Sequence, residues 1–192
     1  MKLTQLYRKF GFAKNKIFTK KFTELFGADL RALAFFRIGI GILLISDLIM
    51  RAMDLKVHYT SFGVLPKKAA LQSMGKWSFS LHLIGDSLQF QTFMFVVSGL
   101  IAFVLIIGYR TRLMTVLSWL LLVSLQNRNL YVLNSGDTLL MLLLFWSMFL
   151  PLGAKYSVDS VIYPQKNKEV KVLSMATFAY FAQIAMLYWF SV

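Results

Sequence analysis

The sequence has no cysteine, only two histidines and only eight acidic residues among 192. The absence of cysteine excludes a disulfide framework, a thiolate metal site and a thiol nucleophile. The two histidines, His58 and His82, cannot hold a metal without help from carboxylates, so we predict no metal site. The shortage of acids leaves a net charge of +13, which in a soluble protein would suggest binding to nucleic acid.

Hydrophobic residues, however, make up 58% of the chain, and its mean hydropathy is +0.64. Soluble domains are only about 45–50% apolar. The composition therefore predicts an all-α integral membrane protein whose main partner is the lipid bilayer, with no nucleic-acid partner. In such a protein an excess of lysine and arginine marks the cytoplasmic face.

Five apolar segments predict a polytopic bundle of about five transmembrane helices. They are Leu30–Met50, Leu88–Ile107, Leu113–Leu125, Thr138–Leu150 and a segment that begins near Val172. The third and fourth have 13 residues each, which is about 20 Å of helix against a bilayer core of about 30 Å. The polar stretch between them, Gln126–Asp137, is then expected at membrane depth, where polar groups need a cavity lined by protein or water.

The distribution of charge predicts how the chain is oriented. Residues 1–28 read as a basic amphipathic segment that lies on an anionic inner leaflet, and residues 29–192 as the transmembrane domain. With the N-terminus inside, the cytoplasmic segments hold fourteen basic residues and the external ones six. We therefore expect a multi-pass protein of the bacterial cytoplasmic membrane with a cytoplasmic N-terminus. The loop of residues 54–87, with a short helix at Lys67–Met74, would cover an external cavity formed by the first, third and fourth helices.

Charged residues inside or beside the spans are candidates for that cavity. Arg37 lies about 12 Å into the first span, where it either forms an ion pair between helices or contacts a ligand. Asp47 is too far along the helix to reach it and could instead pair with Arg51, one turn on. Asp137 either caps the fourth helix or belongs to a site. We expect at least one ion pair across helices among Arg37, Asp47, Arg128 and Asp137, because four unpaired charges near hydrocarbon are costly.

The full set of candidate cavity residues combines these charges with the polar residues of the two external segments. It consists of Arg37, Asp47, His58, Tyr59, Asn127, Arg128, Asn129, Asn134 and Asp137. Histidine is the side chain that titrates near neutral pH, so His58 is either a structural residue or a site residue. No motif surrounds His82, and we assign it no role.

A series of short motifs runs in order through residues 30–192. They are Leu33–Ile38 with Asp47, His58–Thr60 with Gly63–Pro66, Gly108–Arg112, Asn127–Asn129 with Asn134–Asp137, Phe145–Trp146, Phe149–Pro151 and Tyr156–Asp159. The series resembles the horizontally transferred transmembrane (HTTM) domain, the family that includes vitamin K-dependent γ-glutamyl carboxylase. For the carboxylases the resemblance implies a reduced quinone such as vitamin K hydroquinone, carbon dioxide and oxygen, with a lysine that deprotonates the hydroquinone.

Two departures bear on activity. The carboxylases carry Asn-Asn-His where this chain has Asn134-Ser135-Gly136, and their lysine follows a helix resembling Gln183–Val192, so that it would fall beyond Val192. We therefore expect an HTTM-like domain that is truncated at its C-terminus and lacks carboxylase activity as this fragment. The alternatives are a non-catalytic membrane scaffold, a lipid- or quinone-binding module and a small transporter. A small hydrophobic ligand is a candidate partner, and the catalytic residues, substrate and oligomeric state stay open.

Overall fold

The computed structural model describes residues 27–76, 78–164 and 171–190, so all but the last two residues of the predicted basic segment 1–28 lie outside it. The described part is mostly helical, as predicted. In chain order the elements are β1 (Ala28–Asp29), α1 (Leu30–Met53), α2 (Leu55–Tyr59), α3 (Lys67–Ser73), α4 (Leu88–Ile107), α5 (Thr111–Arg128), α6 (Ser135–Ser147), α7 (Val158–Ile162), β2 (Lys171–Val172) and α8 (Met175–Phe190), with 3₁₀ turns at Leu81–Leu83 and Leu130–Val132.

Polar residues at the ends of the long helices set their limits. The side chains of Asp29, Ser87 and Asn134 each accept a backbone N–H from the first turn of α1, α4 and α6, which satisfies donors that the helix leaves unpaired. Gly108 ends α4 with φ of +79°, a left-handed conformation that favours glycine. The cap at Asn134 places the start of α6 at Ser135 rather than at the predicted Thr138.

The long helices pack in the order of the chain: α1 lies along α4, α4 against α5, and α5 against α6. Their facing side chains form one apolar core, which consists of Ile40, Leu44, Ala102, Leu105, Leu122 and Leu144. α8 packs on α6. The two short strands pair antiparallel with Ala28 opposite Val172, and so tie the start of α1 to the segment that leads into α8.

Two of the described helices, α1 with 24 residues and α4 with 20, are long and apolar enough to cross a membrane. At about 1.5 Å per residue they measure about 36 and 30 Å. Only 33% and 28% of their apolar windows are buried within the protein, so most of these side chains are at least partly exposed. The exposed apolar residues of the two helices include Phe35, Ile42, Leu43, Ile49, Phe93, Val96, Leu100 and Phe103.

Candidate functional site

A buried charged cluster at the end of α1 is centred on Arg51. Its Nε donates to both carboxylate oxygens of Asp47, at 2.9 and 2.8 Å, and its Nη1 donates to the Tyr59 hydroxyl at 3.0 Å. Its Nη2 donates to the carboxylate of Asp137. The side chains of Arg51 and Asp137 are only 8% and 5% exposed, so solvent screens this network little. We call Asp47, Arg51, Tyr59 and Asp137 the Arg51 cluster.

Local sequence brings these four side chains together. Asp47 and Arg51 are four residues apart and therefore share one face of α1. At Asp54 the chain turns from α1 into α2, which returns Tyr59 to the bundle, where its ring packs on Phe95 at 5.5 Å. Asp137 lies in the first turn of α6, and its Oδ2 also accepts the N–H of Asn134 at 2.8 Å. Asp137 thus takes part both in the cap of α6 and in the Arg51 cluster.

A cavity of about 250 Å³ lies beside the Arg51 cluster. Its walls are Asp47, Met50, Arg51, Asp54, His58, Tyr59, Val132 and Asn134. Three carboxylates in or beside the cavity outnumber the single guanidinium, whose nitrogens already donate within the cluster. The cavity is therefore rich in hydrogen-bond acceptors and suits a ligand that brings hydroxyl or cationic donors, while it disfavours anions.

The elements that line this cavity are not all the ones that the sequence predicts. α1, α2 and the segment before α6 supply its walls, and α5, the predicted third helix, supplies none. Of the candidate residues, Asp47, His58, Tyr59 and Asn134 meet there, and Asp137 reaches it through Arg51. Arg37 and the Asn127–Asn129 segment lie elsewhere.

Arg37 lies fourteen residues before Arg51 on the same helix, which places it about 21 Å away. It is fully buried. Its Nη1 donates to the Leu152 carbonyl at 3.0 Å, and its Nη2 donates to the carbonyls of Ile106 and Tyr156 at 3.3 and 2.6 Å. Arg37 therefore joins the last turn of α4 to the loop after α6.

The expected ion pair among Arg37, Asp47, Arg128 and Asp137 is wrong in its partners. Both carboxylates pair with Arg51, which confirms the Asp47–Arg51 pair suggested by the spacing but adds a partner on another helix. Arg37 and Arg128 instead donate to backbone carbonyls. Carbonyls at helix ends and in loops thus accept from both guanidinium groups in place of an acid, while Arg37 Nε and the Nε and Nη1 of Arg128 are buried without a hydrogen-bond partner among the described residues.

Three consecutive residues at the end of α5 hold the 54–87 loop. Each side chain donates to a different carbonyl of that loop: Asn127 to Phe79 at 2.9 Å, Arg128 to Leu65 at 3.1 Å, and Asn129 to His58 at 3.1 Å. The loop and the polar stretch that follows α5 thus lie together at one end of the bundle, as predicted. Their contacts give these three residues a positioning role outside the cavity.

His82, to which the sequence assigns no role, is buried beneath the ring of Tyr59. The Gln91 amide nitrogen donates to the carbonyls of His82 and Gly85 at 2.8 and 2.7 Å. Its oxygen therefore faces His82 Nδ1 at 2.7 Å, and this nitrogen carries the proton. Burial lowers the pKa of His82, although the Gln91 hydrogen bond opposes the shift, so the folded protein favours the neutral ring.

At the opposite end of the bundle, Asp159 of α7 caps the start of α5. Its carboxylate accepts the backbone N–H of Arg110 and of Thr111, both at 2.7 Å, and the Thr111 hydroxyl at 2.6 Å. Burial alone would raise the pKa of Asp159, but the hydrogen bonds from Thr111 and Arg110 outweigh it and hold that pKa below its ordinary value. The carboxylate therefore stays charged at neutral pH.

Sequence reasoning missed Arg51 as the centre of the cluster and Asp54 as a wall of the cavity. The available signal was the four-residue spacing of two opposite charges in an otherwise apolar segment, which marks a paired rather than an isolated charge.

No protein-family model, curated protein or solved structure matches this chain.

Proposed function

We propose that this chain is a polytopic membrane protein of the HTTM type whose external cavity binds the polar head of a small hydrophobic molecule, with a reduced quinone as the candidate ligand. The observation that carries the proposal is the Arg51 cluster beside an accessible cavity. Asp47 and Tyr59 both line that cavity, so their polar atoms are available to a ligand as well as to Arg51. Buried charges next to space for a ligand are typical of binding sites in membrane proteins.

In this proposal α1, α4, α5, α6 and α8 make up five membrane spans, with the N-terminus in the cytoplasm. The outward-facing apolar side chains of α1 and α4 support contact with lipid. The excess of fourteen basic residues over six supports the orientation. Because the 54–87 loop is bound to the end of α5, the loop and the Arg51 cluster would both lie at the external end.

The chemistry of the cavity favours the reduced form of a quinone. The two hydroxyls of a hydroquinone donate hydrogen bonds, and the carboxylates of Asp47 and Asp54 accept them. An oxidised quinone offers only carbonyl acceptors, which would face those carboxylates. The volume of about 250 Å³ is below the range of about 300–1,000 Å³ typical of whole ligands. We therefore expect the ring head to occupy the cavity and the tail to remain in the bilayer.

Binding of a reduced naphthoquinone to the purified chain in lipid nanodiscs tests the proposal. Asp54 is exposed and lines the cavity, so Asp54→Asn removes a charged acceptor without breaking the Arg51 cluster. We expect about 10-fold weaker binding, the value of one hydrogen bond to a charged group. Asp86→Asn, an exposed acid of the same loop that does not line the cavity, is the matched control. Equal affinity in both variants, or tighter binding of the oxidised quinone, would contradict the proposal.

The orientation has its own test in this cysteine-free chain. Lys67→Cys should react with a membrane-impermeant maleimide in intact cells, and Lys155→Cys should react only after permeabilisation. The reverse pattern would overturn the orientation.

A non-catalytic scaffold is the second candidate function. The observation that favours it is that the side chains of Arg37 and of Asn127–Asn129 form their hydrogen bonds with backbone groups alone, as residues that fix a framework do. Absence of binding to both redox forms of the quinone would favour the scaffold.

A further inference from the structure

A second and larger cavity, of about 710 Å³, lies at the end of the bundle opposite the Arg51 cluster. It opens between the start of α5, the loop after α6, and α7. Much of its wall is apolar and is formed by Leu113, Met148, Phe149, Leu150, Pro151 and Leu152. Arg110 and Arg112 also line it, and both are exposed. We call this cavity the basic groove.

The two arginines give the groove unpaired positive charge. Neither guanidinium forms an ion pair with another residue in the described ranges, and that of Arg110 lies 5.9 Å from the centre of the Tyr109 ring. Two more exposed basic residues, Lys155 and Lys171, are next in sequence to Ala154 and Val172, which line the groove.

One acid, Asp159, also lines the groove and would repel an anion. Its oxygens already accept three hydrogen bonds, from the backbone of Arg110 and Thr111 and from the Thr111 hydroxyl. This carboxylate is therefore directed at the start of α5, and it offsets the positive end of that helix. The net charge left to the groove comes from the guanidinium groups.

We propose that the basic groove binds one anionic phospholipid of the cytoplasmic leaflet, such as phosphatidylglycerol. Its phosphate would lie between Arg110 and Arg112, and its glycerol and upper acyl chains against Leu113 and Phe149. Both apolar side chains are about half exposed, at 46% and 52%, and would be covered by the lipid. The inference rests on the proposed membrane orientation, which places this end of the bundle at the inner leaflet.

Charge and shape together select this ligand over a free phosphate ion. A hydrated inorganic anion gains nothing from an apolar wall. A phospholipid has an anionic head followed by hydrocarbon chains, and the groove has two arginines followed by an apolar wall. Basic pockets between helices on the cytoplasmic side of a membrane recognise anionic lipid heads in this way.

The test compares lipid retained by the full chain after extraction from vesicles of equal phosphatidylglycerol and phosphatidylcholine, measured by native mass spectrometry. Each basic group near a lipid head contributes about a fivefold factor to binding, so Arg110→Gln with Arg112→Gln should lower the enrichment of phosphatidylglycerol by about 25-fold. Lys67→Gln with Lys68→Gln, a basic pair in the 54–87 loop at the other end, is the matched control and should leave the enrichment unchanged. If the double variant does not fold, Arg112→Gln alone should give the fivefold loss.

Three results would overturn the inference. The first is equal enrichment in the double variant and the wild type, and the second is no preference for phosphatidylglycerol in the wild type. The third is that glycerol phosphate, which has no acyl chains, protects the protein against thermal unfolding as well as phosphatidylglycerol does. The inference and the proposed function fail in different ways. A chain that is absent from the membrane fraction refutes both, and a chain in the membrane that binds phosphatidylglycerol but not reduced naphthoquinone refutes the proposed quinone site alone. A chain in the membrane that binds reduced naphthoquinone but not phosphatidylglycerol refutes the lipid site alone.

Discussion

Replacing Arg51 by methionine removes the cation that Asp47, Tyr59 and Asp137 share, while it keeps most of the buried side-chain volume. The carboxylates of Asp47 and Asp137, whose side chains are 16% and 5% exposed, then lose the cation that they share. Removing one partner of a buried ion pair costs about 3–5 kcal/mol, and the Arg51–Asp137 pair belongs to that class because its side chains are only 8% and 5% exposed. A chain of this size loses about 2–4 °C of melting temperature for each kcal/mol. Arg51→Met should therefore melt about 6–20 °C below the wild type.

Two further variants separate charge from packing. Arg31→Met, at an exposed position near the start of the same helix, should change stability by no more than about 0.5 kcal/mol. The triple variant with Asp47→Asn, Arg51→Met and Asp137→Asn should regain most of the lost stability, because no uncompensated charge remains buried. All are measured by tryptophan fluorescence during thermal unfolding in one detergent.

Two outcomes would refute this reasoning. If Arg51→Met and Arg31→Met melt within about 2 °C of each other, the cluster does not act as a buried ion network. If the triple variant melts as low as the single Arg51→Met variant, the loss comes from packing rather than from the uncompensated charge of the buried carboxylates.

In the same thermal melts, Gly108→Ala should lower stability by about 1–2 kcal/mol, because φ of +79° is left-handed and a Cβ there would lie 2.5 Å from Arg37 Nη1. Gly99→Ala should raise stability by up to about 1 kcal/mol, because Gly99 lies inside α4 and a Cβ there would meet no neighbouring side chain within 4 Å. Because burial lowers the pKa of His82 in the folded state, stability should be complete above about pH 6.5 and fall below it as the unfolded chain takes up the proton. His82→Gln should flatten that fall in melting temperature. Purified protein given reduced vitamin K, labelled bicarbonate and a glutamate peptide should incorporate no label above a boiled control. The resemblance implies a lysine base, burial is what makes a lysine a usable base, and none of the lysines in the described ranges is buried.

The sequence located the helices best where strong end signals flank an apolar run. α4 matches its predicted limits at both ends because Ser87 caps its start and Gly108 ends it. α5 continues to Arg128, three residues beyond the predicted limit, because its last polar side chains find carbonyl partners in the 54–87 loop. Those partners become available only when the loop folds over the helix, so the polarity of Gln126–Arg128 misplaced the boundary.

The candidate site was predictable only where its residues are neighbours in sequence. The four-residue spacing was enough to pair Asp47 with Arg51, since neighbours on one helix face follow from geometry. Asp137, 86 residues from Arg51 in sequence, joins the pair only because α1 and α6 meet in the bundle. The partners of Arg37 were not predictable, since every residue carries a carbonyl and the sequence does not distinguish the three that are used.

The carbonyls that accept hydrogen bonds from Arg37 also affect the order in which the bundle assembles during synthesis. They lie 69, 115 and 119 residues after it along the chain. At about 5–20 residues per second, synthesis takes about 6–24 s to reach the last of them. In the proposed membrane setting, α1 would enter the bilayer with a guanidinium whose insertion costs about 2.5–3.5 kcal/mol at the centre of a helix. α1 would thus enter the membrane early in synthesis. Arg37 would gain its last hydrogen-bond acceptors only when the loop after α6 folds back over the end of α4.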